Sequence, residues 1–209
     1  MYLFTKKYYL LLLSVSLLSC RKYVENVPLQ GQRVLEYTDD YRALMNYTDL
    51  LQTAFGQAPV LSSDDLDYTA DALQSNLKTN VIQRSMYTWR KPFYVETNSD
   101  YDWNALYSGI YTFNTVINQV MDSKGGSAPI KSGILGEALV HRAFSYFMLV
   151  NLYGKQYDAT TADKDPGVPL LLEPKLFVDL TRSPVQQVYN KVIEDTKKAI
   201  PVLPLKQDI

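Results

Sequence analysis

The sequence is poor in the residues that build metal, disulfide and redox sites. Its 209 residues include one cysteine, Cys20, and one histidine, His141. A protein zinc site needs three or four Cys, His or carboxylate ligands, and a single thiol forms no internal disulfide. The acidic stretch 64–71 is no EF-hand, because Ala70 and Asn76 stand where that loop requires Gly and Glu. We expect no metal and no cofactor.

Neither sign of charge dominates the chain, and no catalytic pattern is present. Lys and Arg total 21 against 22 Asp and Glu, a net charge of −1. No basic stripe appears, so we expect no nucleic-acid partner. Glu137 and His141 are four residues apart on a predicted helix, which is ordinary helix chemistry, and no residue is spaced to complete a triad. The sequence therefore argues against an enzyme, and we expect Arg142 to bind a carboxylate or backbone carbonyls.

A short apolar run near the N-terminus is typical of a signal peptide. Two lysines precede the run 8–18, which is well short of the roughly 20 apolar residues that a spanning helix needs. Leu17-Leu18-Ser19-Cys20 has the order of a lipobox. We predict a lipoprotein signal peptide over 1–19, lipid attachment at Cys20, a tether over 20–37 and a helical domain over 38–209. The alternative is an ordinary secretory signal with an incidental cysteine.

Apolar residues at helical spacing predict an all-α fold for the rest of the chain, and no run is typical of a strand. Thr38, Ser99 with Asp102, and Ser183 are the predicted N-terminal caps. The second and third helices should form an antiparallel pair, because a short glycine-containing turn separates them. The predicted helices cover residues 38–55, 99–121, 129–153 and 183–200.

Four stretches, in order along residues 20–205, carry a family-like pattern. They are WNALYSGIYTFNTVINQV, GEALVHRAFSYFMLVNLYG, DPGVPL and RSPVQQVYNKVIEDTKKAIPVLP. Together they resemble the SusD/RagB family of nutrient-uptake outer-membrane lipoproteins. The resemblance implies an all-α fold of tetratricopeptide-like helix pairs with long loops, as in the N-terminal region of such proteins.

The resemblance also implies a function. Family members are lipid-anchored to the outer membrane and cap a TonB-dependent, SusC-like barrel transporter, for which they capture oligosaccharides or, in some members, peptides. We expect the same ligands, partner and cell-surface location, and no enzymatic activity. Surface export in the family is commonly linked to acidic residues after the cysteine, where Arg21 and Lys22 stand here. Members are usually much longer, so we expect a truncation at Ile209, with the C-terminal part of the fold absent.

The segment 84–103 is the strongest candidate for ligand contact. It interleaves aromatic rings with Arg, Lys and Asn side chains. Sugars bind through CH faces stacked on rings and hydroxyls bonded to polar groups, and in the family this region contributes aromatics to the glycan site. We select Trp89, Arg90, Tyr94 and Asn98 as candidate ligand-binding residues. The alternative is that Trp89 and Tyr94 fill a core.

Three other functions remain open at this point. A helical-repeat adaptor lipoprotein would bind a protein partner through its concave face. A truncated fragment would be inactive, and its exposed apolar faces would make it aggregate. A secreted hydrolase is the third, and the missing catalytic pattern argues against it.

Overall fold

Helices make up nearly all the regular structure. A computed structural model describes residues 34–47, 56–66, 71–94 and 99–203. Seven α-helices lie within these ranges, and the only β-pairing there consists of two isolated bridges. None of these helices has the length and apolar character to cross a bilayer. The helices are α1 (Thr38–Met45), α2 (Gln57–Leu61), α3 (Asp71–Thr79), α4 (Val81–Tyr87), α5 (Tyr101–Gln119), α6 (Ala128–Tyr153) and α7 (Val185–Ala199).

The centre of the fold is the antiparallel pair α5 and α6, as the sequence predicts. Trp103 near the start of α5 meets Tyr153 at the end of α6, and Phe113 further along meets His141. A short 3₁₀ turn and two glycines join the helices. Gly126 is required there, because its φ is +63° and an added Cβ would lie 2.6 Å from the Thr38 hydroxyl oxygen.

Helix α7 and the loop before it close the core over this pair. The shared apolar cluster is drawn from α5, α6, the loop and α7, and its buried members are Leu106, Ile110, Tyr146, Leu149, Val150, Ala162, Val168, Val185 and Val188. The buried Tyr146 hydroxyl donates to the Leu171 carbonyl at 2.6 Å and accepts from the Leu171 amide at 2.7 Å. The loop is therefore attached to the core by both apolar packing and hydrogen bonds.

A buried ion pair links the three long helices. The guanidinium of Arg142 on α6 donates two hydrogen bonds to Asp195 on α7, at 2.8 and 2.9 Å, and a third to the Asn114 amide oxygen on α5 at 2.8 Å. Lys191 approaches the same carboxylate at 3.1 Å. Arg142 thus binds a carboxylate, as expected from the sequence.

The structure corrects several predicted helix boundaries. The first helix ends at Met45 instead of 55, and residues 48–55 lie outside the described ranges. Thr38 is the first helical residue and not the cap, because its hydroxyl bonds to the turn at Ser123 and Gly125. At the last helix, Pro184 occupies the capping position that the sequence assigned to Ser183.

Asp195→Ala should destabilise the fold more than Arg142→Met. The first change removes the bidentate counter-ion of a buried guanidinium, whereas the second leaves the carboxylate with Lys191. Removing one member of a buried ion pair costs about 3–5 kcal/mol, and we expect Asp195→Ala to reach that range in urea unfolding. Glu194→Ala is the matched control, since that exposed neighbour should matter little. Equal losses from all three variants would contradict this account.

Candidate functional site

The candidate ligand segment begins at the end of α4, where Trp89 occupies an unusual backbone position. Its φ is +56°, in the left-handed region where glycine normally ends a helix. The Trp89 amide donates to the Met86 carbonyl at 3.2 Å, and the Arg90 amide donates to the Ser85 carbonyl at 2.8 Å. These two bonds form a Schellman motif. A tryptophan in this conformation costs about 1–2 kcal/mol relative to a right-handed one.

The Trp89 side chain is 71% exposed and stands beside a shallow pocket of about 430 Å³. The opposite side of this pocket comes from the turn after α2 and carries two hydroxyls and a carboxylate. The pocket is lined by Ser62, Ser63, Asp64, Leu66, Tyr87 and Trp89. We call it the Trp89 pocket. An exposed ring offers a flat apolar face for stacking, and the neighbouring hydroxyl and carboxylate groups can form hydrogen bonds.

Tyr94 lines a second, more apolar pocket of about 600 Å³. Its walls come from α2, from the chain after α4 and from the end of α6. They consist of Ala58, Lys91, Pro92, Phe93, Tyr94, Leu152 and Tyr153. We call it the Tyr94 pocket. Its volume falls in the range of small-molecule sites, and its apolar walls suit the faces of rings.

Asp100 lies beside the two tyrosines of the Tyr94 pocket. Its carboxylate accepts a hydrogen bond from the Tyr153 hydroxyl at 2.8 Å and lies near the Tyr94 hydroxyl. Burial raises the pKa of both phenols well above the ordinary value, and the adjacent Asp100 carboxylate raises them further. Both hydroxyls therefore remain protonated donors. The same carboxylate also caps α5 through the Trp103 amide at 3.0 Å, the role that the sequence assigned to Ser99.

An aromatic cluster supports the Tyr94 pocket from inside the protein. The Trp103 ring lies 4.8 Å from that of Tyr107 and 5.0 Å from that of Tyr153, measured between centroids. The Arg182 guanidinium sits 5.7 Å from the Trp103 ring centroid and donates to the Tyr153 carbonyl at 2.9 Å. Trp103 is partly buried against the core, in line with its position in the apolar stripe of α5. The cluster fixes the orientation of Tyr153.

The four ligand residues predicted from the sequence do not all lie in one pocket. Trp89 lines the Trp89 pocket, with Arg90 exposed next to it, whereas Tyr94 lines the Tyr94 pocket. Asn98 and the lipid attachment residue Cys20 lie outside the described residues.

Sequence reasoning did not select Tyr153, which lines the Tyr94 pocket, or Asp100, which binds its hydroxyl. Tyr153 lies at the end of one predicted helix and Asp100 near the start of another, and nothing in the sequence pattern pairs them. Their meeting depends on the antiparallel packing of α5 and α6, which brings residues 53 positions apart within hydrogen-bonding distance.

His141 lies in a structural environment. Its ring stacks on Phe113 with centroids 5.3 Å apart, and burial lowers the pKa of the imidazole. Glu137, its neighbour one turn earlier, binds Arg42 on α1 at 2.6 Å. Within the described ranges no group of three or more His, Cys, Asp or Glu side chains is arranged to hold a metal ion.

These features define a class of protein and then a family. The all-α fold is similar to that of solved SusD superfamily proteins. A SusD-like family model, described as "Starch-binding associating with outer membrane", matches residues 34–209, and the chain belongs to this family. SusD-like proteins are binding proteins. A search of curated proteins found no significant match.

Three solved structures illustrate the similarity. A SusD superfamily protein from Bacteroides thetaiotaomicron is 21% identical, with a TM-score of 0.60 over 80% of this chain and 38% of that chain. A putative sugar binding protein from Bacteroides vulgatus is 19% identical (TM-score 0.51, 75% and 37%). A SusD superfamily protein from Bacteroides fragilis is 20% identical (TM-score 0.52, 78% and 40%). These identities show the fold alone, and the chain spans less than half the length of each structure.

Trp89→Gly should stabilise the protein by about 1 kcal/mol in urea unfolding, because glycine adopts the left-handed conformation without a steric cost. Trp89→Ala is the matched control: it removes the same ring but keeps the Cβ, so it should bring no gain. If the ring instead filled a core, both variants would lose stability, and that result would contradict an exposed role.

Proposed function

We propose that the protein is a glycan-binding lipoprotein that captures oligosaccharides at the outer membrane for a TonB-dependent, SusC-like transporter. The observation that carries the proposal is the exposed Trp89 ring, held at the end of a helix beside Ser62, Ser63 and Asp64. The indole offers a flat face to the CH groups of a sugar, and the neighbouring side chains bond its hydroxyls. Membership of a family described as starch-binding supports the same ligand class.

The backbone of Trp89 strengthens this argument. A residue held in a costly conformation persists when surrounding structure enforces it, and such positions concentrate at functional sites. Glycine would fit the same turn at lower cost. We infer that the ring is retained for ligand contact, since only a minor part of it is buried. In this proposal Arg90 contacts the same ligand from the rim, and Tyr94 and Asn98 serve an adjoining subsite.

The rest of the proposal concerns location and the absence of catalysis. Cys20 would carry the lipid anchor, which agrees with the family description of association with the outer membrane. Stable anchoring needs two or more acyl chains, which a lipid-modified N-terminal cysteine supplies. The protein would act by binding alone, since its single histidine is packed against Phe113.

One surface feature favours the adaptor alternative. The loop before α7 exposes three large apolar side chains, with Leu176 76%, Phe177 99% and Leu180 62% accessible. Exposed apolar groups of this size are commonly contact points for another macromolecule. A protein-binding adaptor would therefore depend on this loop and not on Trp89.

Trp89→Gly should abolish or strongly reduce retention on insoluble starch and retardation in gels that contain amylopectin, xylan or pectin. Stacking of a nucleic-acid base on an aromatic side chain contributes about 1–3 kcal/mol to binding. We expect a similar loss of binding free energy here, which corresponds to roughly tenfold or more in affinity. Phe177→Ala is the control, because it removes a still more exposed ring far along the chain. Unchanged binding by Trp89→Gly would refute the site, and loss with Phe177→Ala alone would move the glycan contact to the loop before α7.

Cys20→Ser should abolish labelling by an acyl-chain probe and release the protein from the membrane fraction, because serine lacks the thiol that forms the thioether. A Ser19→Ala variant keeps a small residue before the cysteine and should remain labelled. Membrane retention of Cys20→Ser without acyl labelling would contradict the anchor.

A further inference from the structure

Asp102 is a fully buried carboxylate that serves a helix other than its own. It lies in the first turn of α5, where Asp100 already caps the helix. Its two oxygens accept hydrogen bonds from the Gln57 amide at 2.6 Å and the Ala58 amide at 2.8 Å, 45 and 44 residues away along the chain. Hydrogen bonds to an ionised carboxylate are among the stronger ones in proteins. Asp102 therefore attaches the start of α2 to α5.

Gly56 makes this attachment sterically feasible. The residue precedes α2 with a φ of +69°, in the left-handed region that favours glycine. An added Cβ would lie 3.4 Å from the nearer Asp102 oxygen and 3.4 Å from the Pro59 ring. The backbone conformation at Gly56 and the carboxylate of Asp102 are thus two parts of one contact.

Helix α2 is held in place by its contacts with α5 and α4. It is five residues long and contains no buried residue. A helix this short is not stable by itself, and its position must come from tertiary contacts. At its C-terminal end the Ser62 hydroxyl donates to the Met86 carbonyl on α4 at 3.3 Å, which connects α2 to the turn that carries Trp89.

Both candidate pockets have a wall on this short segment. Ala58, whose amide binds Asp102, lines the Tyr94 pocket. Ser62 and residues shortly after it line the Trp89 pocket together with the indole. A shift of α2 away from α5 would therefore change the two pockets together.

We propose that Asp102 is a positioning residue that sets the α2 wall of both pockets. It touches no ligand itself, because its side chain is completely buried. The effect on binding rests on the glycan-binding function proposed above, whereas the effect on α2 does not. Asp102 acts through the amides of Gln57 and Ala58, and through Ser62 it limits the motion of the turn opposite Trp89.

Hydrogen exchange tests the positioning role without any ligand. Asp102→Asn keeps the size of the side chain but turns one acceptor into a donor that faces a backbone amide. We expect amides of 57–62 to exchange about tenfold faster or more, with a smaller increase at 86–90 and no change in the middle of α6. Gly56→Ala disturbs the same contact from the α2 side, and it should give the same pattern of amide exchange. Because the two changes break one contact, their effects should not add in the double variant.

A core truncation distinguishes positioning from general loss of stability. Val188→Ala removes buried methyl groups from α7, a helix that contributes no lining residue to either pocket. Exchange is compared at the same number of degrees below the melting temperature of each variant. Unchanged exchange at 57–62 in both contact variants, or an equal increase with Val188→Ala, would overturn the proposal. If Asp102→Asn does not fold, Gly56→Ala alone decides it.

Affinity for soluble starch is the second readout. If the wild-type protein binds starch, Asp102→Asn and Gly56→Ala should each weaken binding about tenfold, while Val188→Ala binds normally. Wild-type affinity in both contact variants would overturn the role in binding. If the wild-type protein binds no glycan, the proposed function fails, and the exchange pattern still decides whether Asp102 positions α2.

Discussion

The buried guanidinium of Arg142 is the interaction on which the long helices depend. A buried charge must be paired, and the partners of Arg142 come from the two other long helices: Asp195 from α7 and the amide oxygen of Asn114 from α5. The side-chain amide of Asn114 also donates to the Leu171 carbonyl at 2.8 Å, and this bond connects the long loop to α5. The burial of one cation therefore determines the relative register of three helices and a loop, in addition to the apolar packing around them.

At one end of this frame, two carboxylates separated by a single residue organise the candidate site. Asp100 caps α5 and binds the Tyr153 hydroxyl, whereas Asp102 binds the start of the short helix α2. Polar side chains at the start of α5 thus connect the packed long helices to the pockets. The walls themselves are short segments with few buried residues, which is typical of binding surfaces carried on a stable scaffold.

This arrangement fits a binding protein of the SusD-like family. The pockets present flat rings, hydroxyls and a few charges, which are groups that recognise sugars by stacking and hydrogen bonding. The most exposed of these rings belongs to Trp89, in a backbone conformation that glycine would adopt at lower cost. In the proposed function, exposure and conformational cost at this one residue are both explained by contact with a ligand.

Local pattern determined the long helices. The apolar spacing of α5, α6 and α7 and the glycine turn were predictable, because helical periodicity and burial are encoded within a few turns of chain. For Arg142 the sequence left a carboxylate or backbone carbonyls as partners, and only the tertiary structure selected Asp195. The partners of Asp102 and the meeting of Tyr153 with Asp100 were decided only by tertiary structure. These contacts join residues 44 to 53 positions apart, and hydrophobic spacing carries no information about which polar groups will meet once helices pack.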